Sequence, residues 1–422
     1  MTDVLDELQW RGLIAQHTDL DALRAALADG PVSYYCGFDP TAPSLHHGHL
    51  VQLLLLRHLQ NAGHHPYALV GGATGMIGDP RMSGERKLNT AETVAEWTER
   101  LRGQVSRFLS FEGDNAATVV NNLDWTAGLT AIELLRDVGQ HFRISAMLAK
   151  DTVATRLASS EGLSYTEFSY QLLQGMDFLE LYRRHDVTLQ TGGNDQWGNL
   201  VSGLDLIRKV EGTSVHVLTT PLITKADGTK FGKTEGGAVW LAPDMMSPYA
   251  FYQFWLNTAD DDVVRFLKIF TFRTREEIEA LAAEVADRPF ARAAQRTLAE
   301  DVTTLVHGAD ATARVQAASA AVFGKGDLRD LDADTLRDAT AELPRATGVV
   351  GETSIVDLLV ATGLEAGRGA ARRTIASGGA SVNGHKIDDD ERLLAAGDLL
   401  AGGVVVLRRG KKNMAIVETH QG

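Results

Sequence analysis

Apolar positions in the first half of the chain alternate between two periods. Short strand-like runs are followed by stretches in which apolar residues recur at helical spacing. Residues 33–38 read as a strand stopped by Asp39-Pro40, residues 50–60 as an apolar helix closed by Gly63, and residues 67–70 as a second strand. That second strand runs straight into Gly71-Gly72-Ala73-Thr74-Gly75. The alternation continues to about Pro221 and predicts an α/β domain with a Rossmann-like parallel sheet. Folds of this class place ligands where strand ends meet polar loops.

The pattern then changes. From about 247 to 323 it is Ala-rich helix, with Thr274 and Glu277 spaced as a capping box ahead of Ile278, Leu281 and Val285. Residues 341–352 contain Pro344, Gly348 and Gly351 and read as a linker. Beyond them, 354–375 is helical, and 380–384 and 403–407 are short strands. The expected organisation is a catalytic domain over 1–222 and an α-helical domain over 223–340. The linker and a small α+β domain over 353–422 follow.

Composition narrows the class. With 44% hydrophobic and 23% charged residues the chain reads as a soluble globular protein. No apolar run is long enough for a membrane span, and the acidic N-terminus lacks an export pattern. One cysteine, Cys36, excludes an internal disulfide framework and suits a reducing cytoplasm. The net charge of −14 argues against a nucleic-acid partner, but it is uneven. From 351 to 422 nine Lys and Arg balance nine Asp and Glu, so a local basic patch remains possible there.

Two motifs carry chemistry. The first is Phe38-Asp39-Pro40-Thr41 followed by His46-His47-Gly48-His49. His46 and His49 lie three apart at the mouth of a helix and face one side, where free N–H groups and the helix dipole favour an anion. Gly48 lets a flat base press against the backbone. This suits a nucleoside triphosphate, and a metal pair is disfavoured because no further ligand is suitably spaced. The second is Lys225-Ala226-Asp227-Gly228-Thr229-Lys230-Phe231-Gly232-Lys233-Thr234, a glycine-flanked loop whose lysines can follow charge onto a leaving pyrophosphate.

The two motifs, in this order, resemble the HIGH and KMSKS signatures of the class I aminoacyl-tRNA synthetases. Further stretches are similar to the bacterial-type tyrosyl-tRNA synthetase family: 35–41, 71–75 with 78–80, 121–125, 164–177 and 190–199. The resemblance implies Tyr35 and Asp177 on the phenol hydroxyl, Tyr170, Gln174 and Asp79 around the α-ammonium, and Gln196 near the carboxylate. For ATP it implies His46 and His49 at the phosphates with Thr41 beside them, Gly193 and Asp195 at the ribose with Cys36 close by, Lys230, Lys233 and Thr234 on the pyrophosphate side, and Asp39 and Gly48 among the ATP-binding or catalytic residues. ATP is then a substrate that brings Mg2+ with it, with no tightly bound metal or organic cofactor. His47 replaces the usual apolar residue and is expected to point away from the nucleotide. The family's lysine between Asp79 and Glu85 is missing, which leaves Arg81 and Arg86 as alternatives.

Residues 367–375 with 378–384 resemble a small ribosomal-type RNA-binding module. It would present Arg368, Arg372 and Arg373 on a helix face, and Arg408, Arg409, Lys411 and Lys412 on a late hairpin, to tRNA(Tyr). The resemblance further implies a homodimer in the cytoplasm, with no membrane partner. The rival readings are a tryptophanyl-tRNA synthetase, a small-metabolite adenylyltransferase and a silent RNA-binding relative. The Tyr35/Asp177 pair with the RNA module opposes the first, the C-terminal domains the second, and the retained histidines and lysines the third.

Overall fold

The computed structural model describes residues 3–81, 84, 87–160, 162–229, 231–234, 237–322, 326–341, 343–410 and 413–420. Two compact units divide the chain: Met1–Met246 with Thr258–Leu298, and Ser247–Asn257 with Ala299–Gly422.

The first unit is built on a parallel sheet of five strands: β1 (Ser33–Phe38), β2 (His65–Val70), β3 (Thr118–Asn121), β4 (Val187–Gly193) and β5 (His216–Thr220). Their order is β3-β2-β1-β4-β5. Tyr34, Tyr35, Cys36 and Phe38 are all buried, as expected of a central strand covered on both faces. The chain steps from β1 to β2 and β3, then returns to the other side of β1 as β4. The strand order therefore reverses between β1 and β4, and a crevice opens there at the carboxyl ends of the strands. Register pairs Tyr35 with Gln190 and Cys36 with Thr191 across this point.

Helices frame the crevice. His47–Asn61 follows β1 and packs on the sheet with a nearly continuous apolar surface from Leu50 to Leu56. Tyr165–His185 starts at Ser164, whose hydroxyl accepts from the Glu167 amide at 3.3 Å, and ends at Asp186 in the left-handed region (φ 51°). It packs against Trp197–Glu211 and β4. The capping box read from the sequence is present: the Thr274 amide donates to Glu277 at 2.8 Å, and the Thr274 hydroxyl accepts from the Glu277 amide.

The second unit contains a mixed sheet ordered β10-β9-β11-β12-β8, formed by β8 (Arg345–Val349), β9 (Ala380–Val382), β10 (His385–Lys386), β11 (Val404–Arg409) and β12 (Asn413–His420). A minor hairpin in the first unit supplies β6 (Lys233–Thr234) and β7 (Gly237–Ala238). The linker reading of 341–352 is corrected here, because β8 pairs in parallel with β12. Gly348 serves packing rather than flexibility: a Cβ there would come within 3.1–3.2 Å of Leu358, Leu394 and Val417. The expected helix over 354–375 is two helices, Ile355–Ala361 and Arg368–Ala376, interrupted at left-handed Gly363 (φ 75°). The helical region is itself shared. Asp260–Phe270 and Arg275–Asp287 belong to the first unit, while Ala318, Val322, Leu331 and Leu336 form a core with Leu400, Val406 and Ile416 in the second.

One buried ion pair braces the first unit. Arg156 and Glu167, each 1% exposed, meet at 2.9 Å. Arg156 also donates to the carbonyls of Arg81 (3.1 Å), Gly84 (2.8 Å) and Gly162 (3.1 Å). Replacing Arg156 with Met takes the cation away from a buried carboxylate, a change that costs about 3–5 kcal/mol. Thermal unfolding should show a clear loss of stability, and adding Glu167→Gln should recover part of it.

Candidate functional site

Tyr35 of β1 and Asp177 of the helix Tyr165–His185 converge under the crevice. The Tyr35 ring packs on Phe178 (centroids 5.3 Å apart), and its hydroxyl is buried without a hydrogen-bond partner among the described residues. The Oε1 atoms of Gln174 and Gln190 share that condition. Buried polar atoms are nearly always satisfied, so such a cluster points to a polar ligand. Burial and the Asp177 charge together raise the Tyr35 phenol well above its usual pKa. Asp177, 2% exposed, accepts from Trp125 Nε1 at 2.8 Å and Asn122 Nδ2 at 3.0 Å. Burial nevertheless pushes its pKa up to about 7, with Asp39 and Glu180 adding to the rise.

Beside this lies a negatively charged recess. The Tyr170 hydroxyl donates to Asp39 at 2.7 Å, and the Thr74 hydroxyl donates to the other Asp39 oxygen at 2.6 Å. Asp79 accepts from Gln196 (3.1 Å) and Asn199 (3.0 Å), and Asn199 in turn accepts from Lys150 at 2.9 Å. Burial and then Asp39, Asp79 and Asp177 raise the Tyr170 phenol, so three carboxylates surround one hydroxyl. Such a field suits an ammonium group. Gly71 is obligatory here, since a Cβ would sit 2.0 Å from Asp39 Oδ1. Asp39, expected among the ATP-binding or catalytic residues, thus has its carboxylate beside the residues expected around the ammonium.

The histidine tetrad opens the helix His47–Asn61. His46 is the N-cap: its Nδ1 accepts from the Gly48 amide at 3.1 Å, while His49 Nδ1 accepts from the His46 amide at 3.2 Å. The two rings stack 4.0 Å apart, on one side as the spacing predicts. The free N–H groups expected there are not free, because the His47 amide also donates, to Val239 at 2.9 Å. An anion would instead meet the imidazoles. Both are driven towards the neutral form by burial, and with Nδ1 accepting, each carries its proton on Nε2. Gly48 has a further reason to be glycine, since a Cβ would come 2.9 Å from the His46 ring.

Thr41 and Asp195 are exposed nearby, and Gly193 closes β4, where a Cβ would meet Asp195 at 2.6 Å. Cys36 is buried with its thiol pushed up to about 12, an unreactive state. Lys230 and Arg86 lie outside the described residues; Lys233 and Thr234 form β6, and only their backbone is described. Arg81 is described through its carbonyl, which Arg156 holds.

Residues 27–324 match the model of tRNA synthetases class I (W and Y), and residues 335–417 match that of the tyrosine–tRNA ligase SYY-like C-terminal domain. The tyrosine–tRNA ligase of Streptomyces coelicolor is 64% identical over 419 residues, covering 99% of both chains. The chain belongs to the tyrosine–tRNA ligases. The ligase of Streptomyces griseus is likewise 64% identical over 99% of both chains. Among solved structures, a C-terminally truncated mitochondrial tyrosyl-tRNA synthetase of Aspergillus nidulans is similar at 31% identity and a TM-score of 0.68, covering 75% of this chain and 92% of that one.

In the second unit of this synthetase the expected RNA-facing cations are partly engaged. Arg368 pairs with Asp357 at 2.5 Å and Arg372 with Asp390 at 3.3 Å, and both remain exposed, as does Arg373. Arg373 follows Arg372 directly and so is turned by roughly 100° around the helix, which corrects the shared face. Arg408 donates to the Val322 carbonyl, and Arg409 binds Glu365 at 2.9 Å and the Leu364 carbonyl at 2.9 Å. Arg408 and Arg409 lie at the end of β11, next to the turn into β12, and Lys411 and Lys412 fall outside the described residues.

Sequence reading assigned no role to Thr74, Asn122, Trp125, Asn199 or Lys150. Most stand inside or beside the matched stretches, and that proximity was the available signal. Lys150 also lines a cavity of about 430 Å³ with Arg143, Trp197, Arg208 and Lys209. Burial lowers its ammonium to about 7.

Asp177 sets a pH dependence. Its folded pKa of about 7 exceeds the ordinary 3.8, so the native state holds more protons between these values and stability falls as pH rises through that window. Asp177→Asn should flatten this part of the stability-against-pH curve, measured by thermal unfolding from pH 4 to 8.

Proposed function

We propose that the synthetase activates L-tyrosine in the crevice at the β1–β4 switch point and then loads it onto tRNA(Tyr). The observation that carries this is the buried convergence of the Tyr35 hydroxyl and the Asp177 carboxylate. A phenol is both donor and acceptor, and these two groups can serve it from both sides. Phenylalanine would leave them unpaired, at a cost of a few kcal/mol. Tyr170, Gln174 and Asp79 take the α-ammonium, in the field of Asp39, Asp79 and Asp177. Gln196, fixed against Asp79, faces the carboxylate.

ATP lies across the strand ends, its phosphates on the Nε2–H groups of His46 and His49 beside Thr41, its base against Gly48 and its ribose at Gly193 and Asp195. The tyrosine carboxylate attacks the α-phosphorus in line; the bond to the β-phosphate oxygen breaks, and pyrophosphate leaves. A carboxylate is already a competent nucleophile, so the step needs positioning and charge stabilisation rather than a general base. Lys230, Lys233 and Thr234 follow the charge onto pyrophosphate. Magnesium enters with the phosphates and supplies further charge neutralisation.

The terminal ribose hydroxyl of the tRNA then attacks the tyrosyl carbonyl; an ester to the ribose forms, the bond from the carbonyl carbon to the phosphate oxygen breaks, and AMP leaves. Arg143, Lys150, Arg208 and Lys209 around the cavity suit RNA phosphates there, and exposed Arg368, Arg372 and Arg373 serve a more distant part of the RNA. The enzyme works as a cytoplasmic homodimer. Exposed Ile132, Leu135, Ile144, Leu148, Leu157 and Tyr165, concentrated in one sequence region of the first unit, favour a covered surface there.

ATP–pyrophosphate exchange should require tyrosine and be absent with tryptophan or with no amino acid. Lys230→Ala and Lys233→Ala should each lower single-turnover adenylate formation by tenfold or more and leave tyrosine affinity within twofold. Normal rates in both variants would refute the assignment. Arg372→Glu with Arg373→Glu should raise the KM for tRNA in charging without altering exchange, and an unchanged KM would remove those arginines from the RNA contact.

A further inference from the structure

His47, the tetrad member with no place in the phosphate reading, is turned onto the lysine loop. Its ring meets Phe231 edge to face, with centroids 5.4 Å apart. Gly232 comes closer still. A Cβ on it would lie 1.9 Å from His47 Cε1 and 2.2 Å from Nε2, and its φ of +81° is left-handed as well. The loop backbone therefore lies directly against the imidazole, and no side chain fits between them.

The surrounding contacts fix both partners. Phe231 rests on Phe266 (4.3 Å) and Phe270 (6.1 Å) of the helix Asp260–Phe270, and its amide donates to the Ile223 carbonyl at 3.3 Å. Ala226 is held by Asp262 at 2.8 Å, and Arg265 donates to Thr224. On the far side of the loop the His47 amide donates to Val239, and the Leu241 amide donates to Leu45 at 2.9 Å. His47 stands at the middle of this frame. Its Nδ1 is buried without a hydrogen-bond partner among the described residues, so an apolar ring would be easier to bury than an imidazole. What the imidazole adds is a polar edge beside the Phe231 backbone, which favours its charged form against the burial that lowers its pKa.

We propose that His47 is a positioning residue: it docks the Phe231–Gly232 backbone against the tetrad helix and so sets where the following lysine stands relative to His46 and His49. The inference rests on the reading that the loop's lysines act on pyrophosphate. Its energetic content is a coupling between position 47 and position 232, which simple core packing of His47 would not require.

The test uses the full chain, with single-turnover adenylate formation measured at saturating ATP and tyrosine affinity measured separately by equilibrium dialysis without ATP. His47→Ala should slow adenylate formation at least tenfold while tyrosine affinity stays within twofold, and His47→Gln, which keeps a donor, should return the rate to within threefold of the parent. Gly232→Ala should also slow the parent at least tenfold, yet cost clearly less when added to His47→Ala, because the clash is then gone and only the left-handed strain at 232 remains. Multiplicative losses in the double variant, or a His47→Ala rate within twofold of the parent, overturn the proposal. Should His47→Ala lose tyrosine binding altogether, Gly232→Ala combined with His47→Ser, which also removes the ring, takes its place, and losses that multiply there overturn it equally. A normal rate in Lys233→Ala would instead remove the reading beneath it, so the two failures are distinguishable.

Discussion

Asp39, Asp79 and Asp177 surround a single buried phenol, that of Tyr170, and everything on the amino-acid side of the crevice accommodates their mutual repulsion. The hydrogen bonds described to them come from neutral donors: Thr74 and Tyr170 to Asp39, Gln196 and Asn199 to Asp79, Asn122 and Trp125 to Asp177. Neutral donors orient a carboxylate without cancelling its charge. The nearby cation, Lys150, reaches Asp79 through Asn199 and is itself pushed towards neutrality. The negative field of these carboxylates is of the kind that suits an ammonium group.

On the triphosphate side the economy is reversed. His46 and His49 use their Nδ1 atoms to cap their own helix, which fixes the tautomer and aims the other nitrogen outwards. Burial drives the rings towards the neutral form, so what they offer is an N–H rather than a positive charge. One helix end therefore combines structural capping and ligand presentation in the same two side chains.

Much of this was legible in the residues. The apolar runs located β1 and β2, the alternation gave the parallel sheet, and the Thr274–Glu277 spacing gave a real helix start. The signature words picked out Tyr35, Asp79, Tyr170 and Asp177, which the fold does bring together, because chain-local motifs sit where strands end. What stayed hidden depends on convergence in space. Asn122 matters because it lies between Thr74 and Asp177, a fact no local pattern carries. The occupied N–H groups at the tetrad depend on imidazole rotamers, which periodicity does not encode. β8 was missed because Pro344, Gly348 and Gly351 read as flexible, although Gly348 is small for the sake of its apolar neighbours.

The interleaving of the two units has a consequence for how the polypeptide comes into being. The chain leaves the first unit at Met246, contributes Ser247–Asn257 to the second, returns for Thr258–Leu298, and only then departs for good. A growing chain on the ribosome cannot finish the first unit before making a helix that belongs to the second, and that helix must wait, its apolar face uncovered, until Ala299 and later residues emerge. The interval between those two moments is the natural place for a chaperone to act.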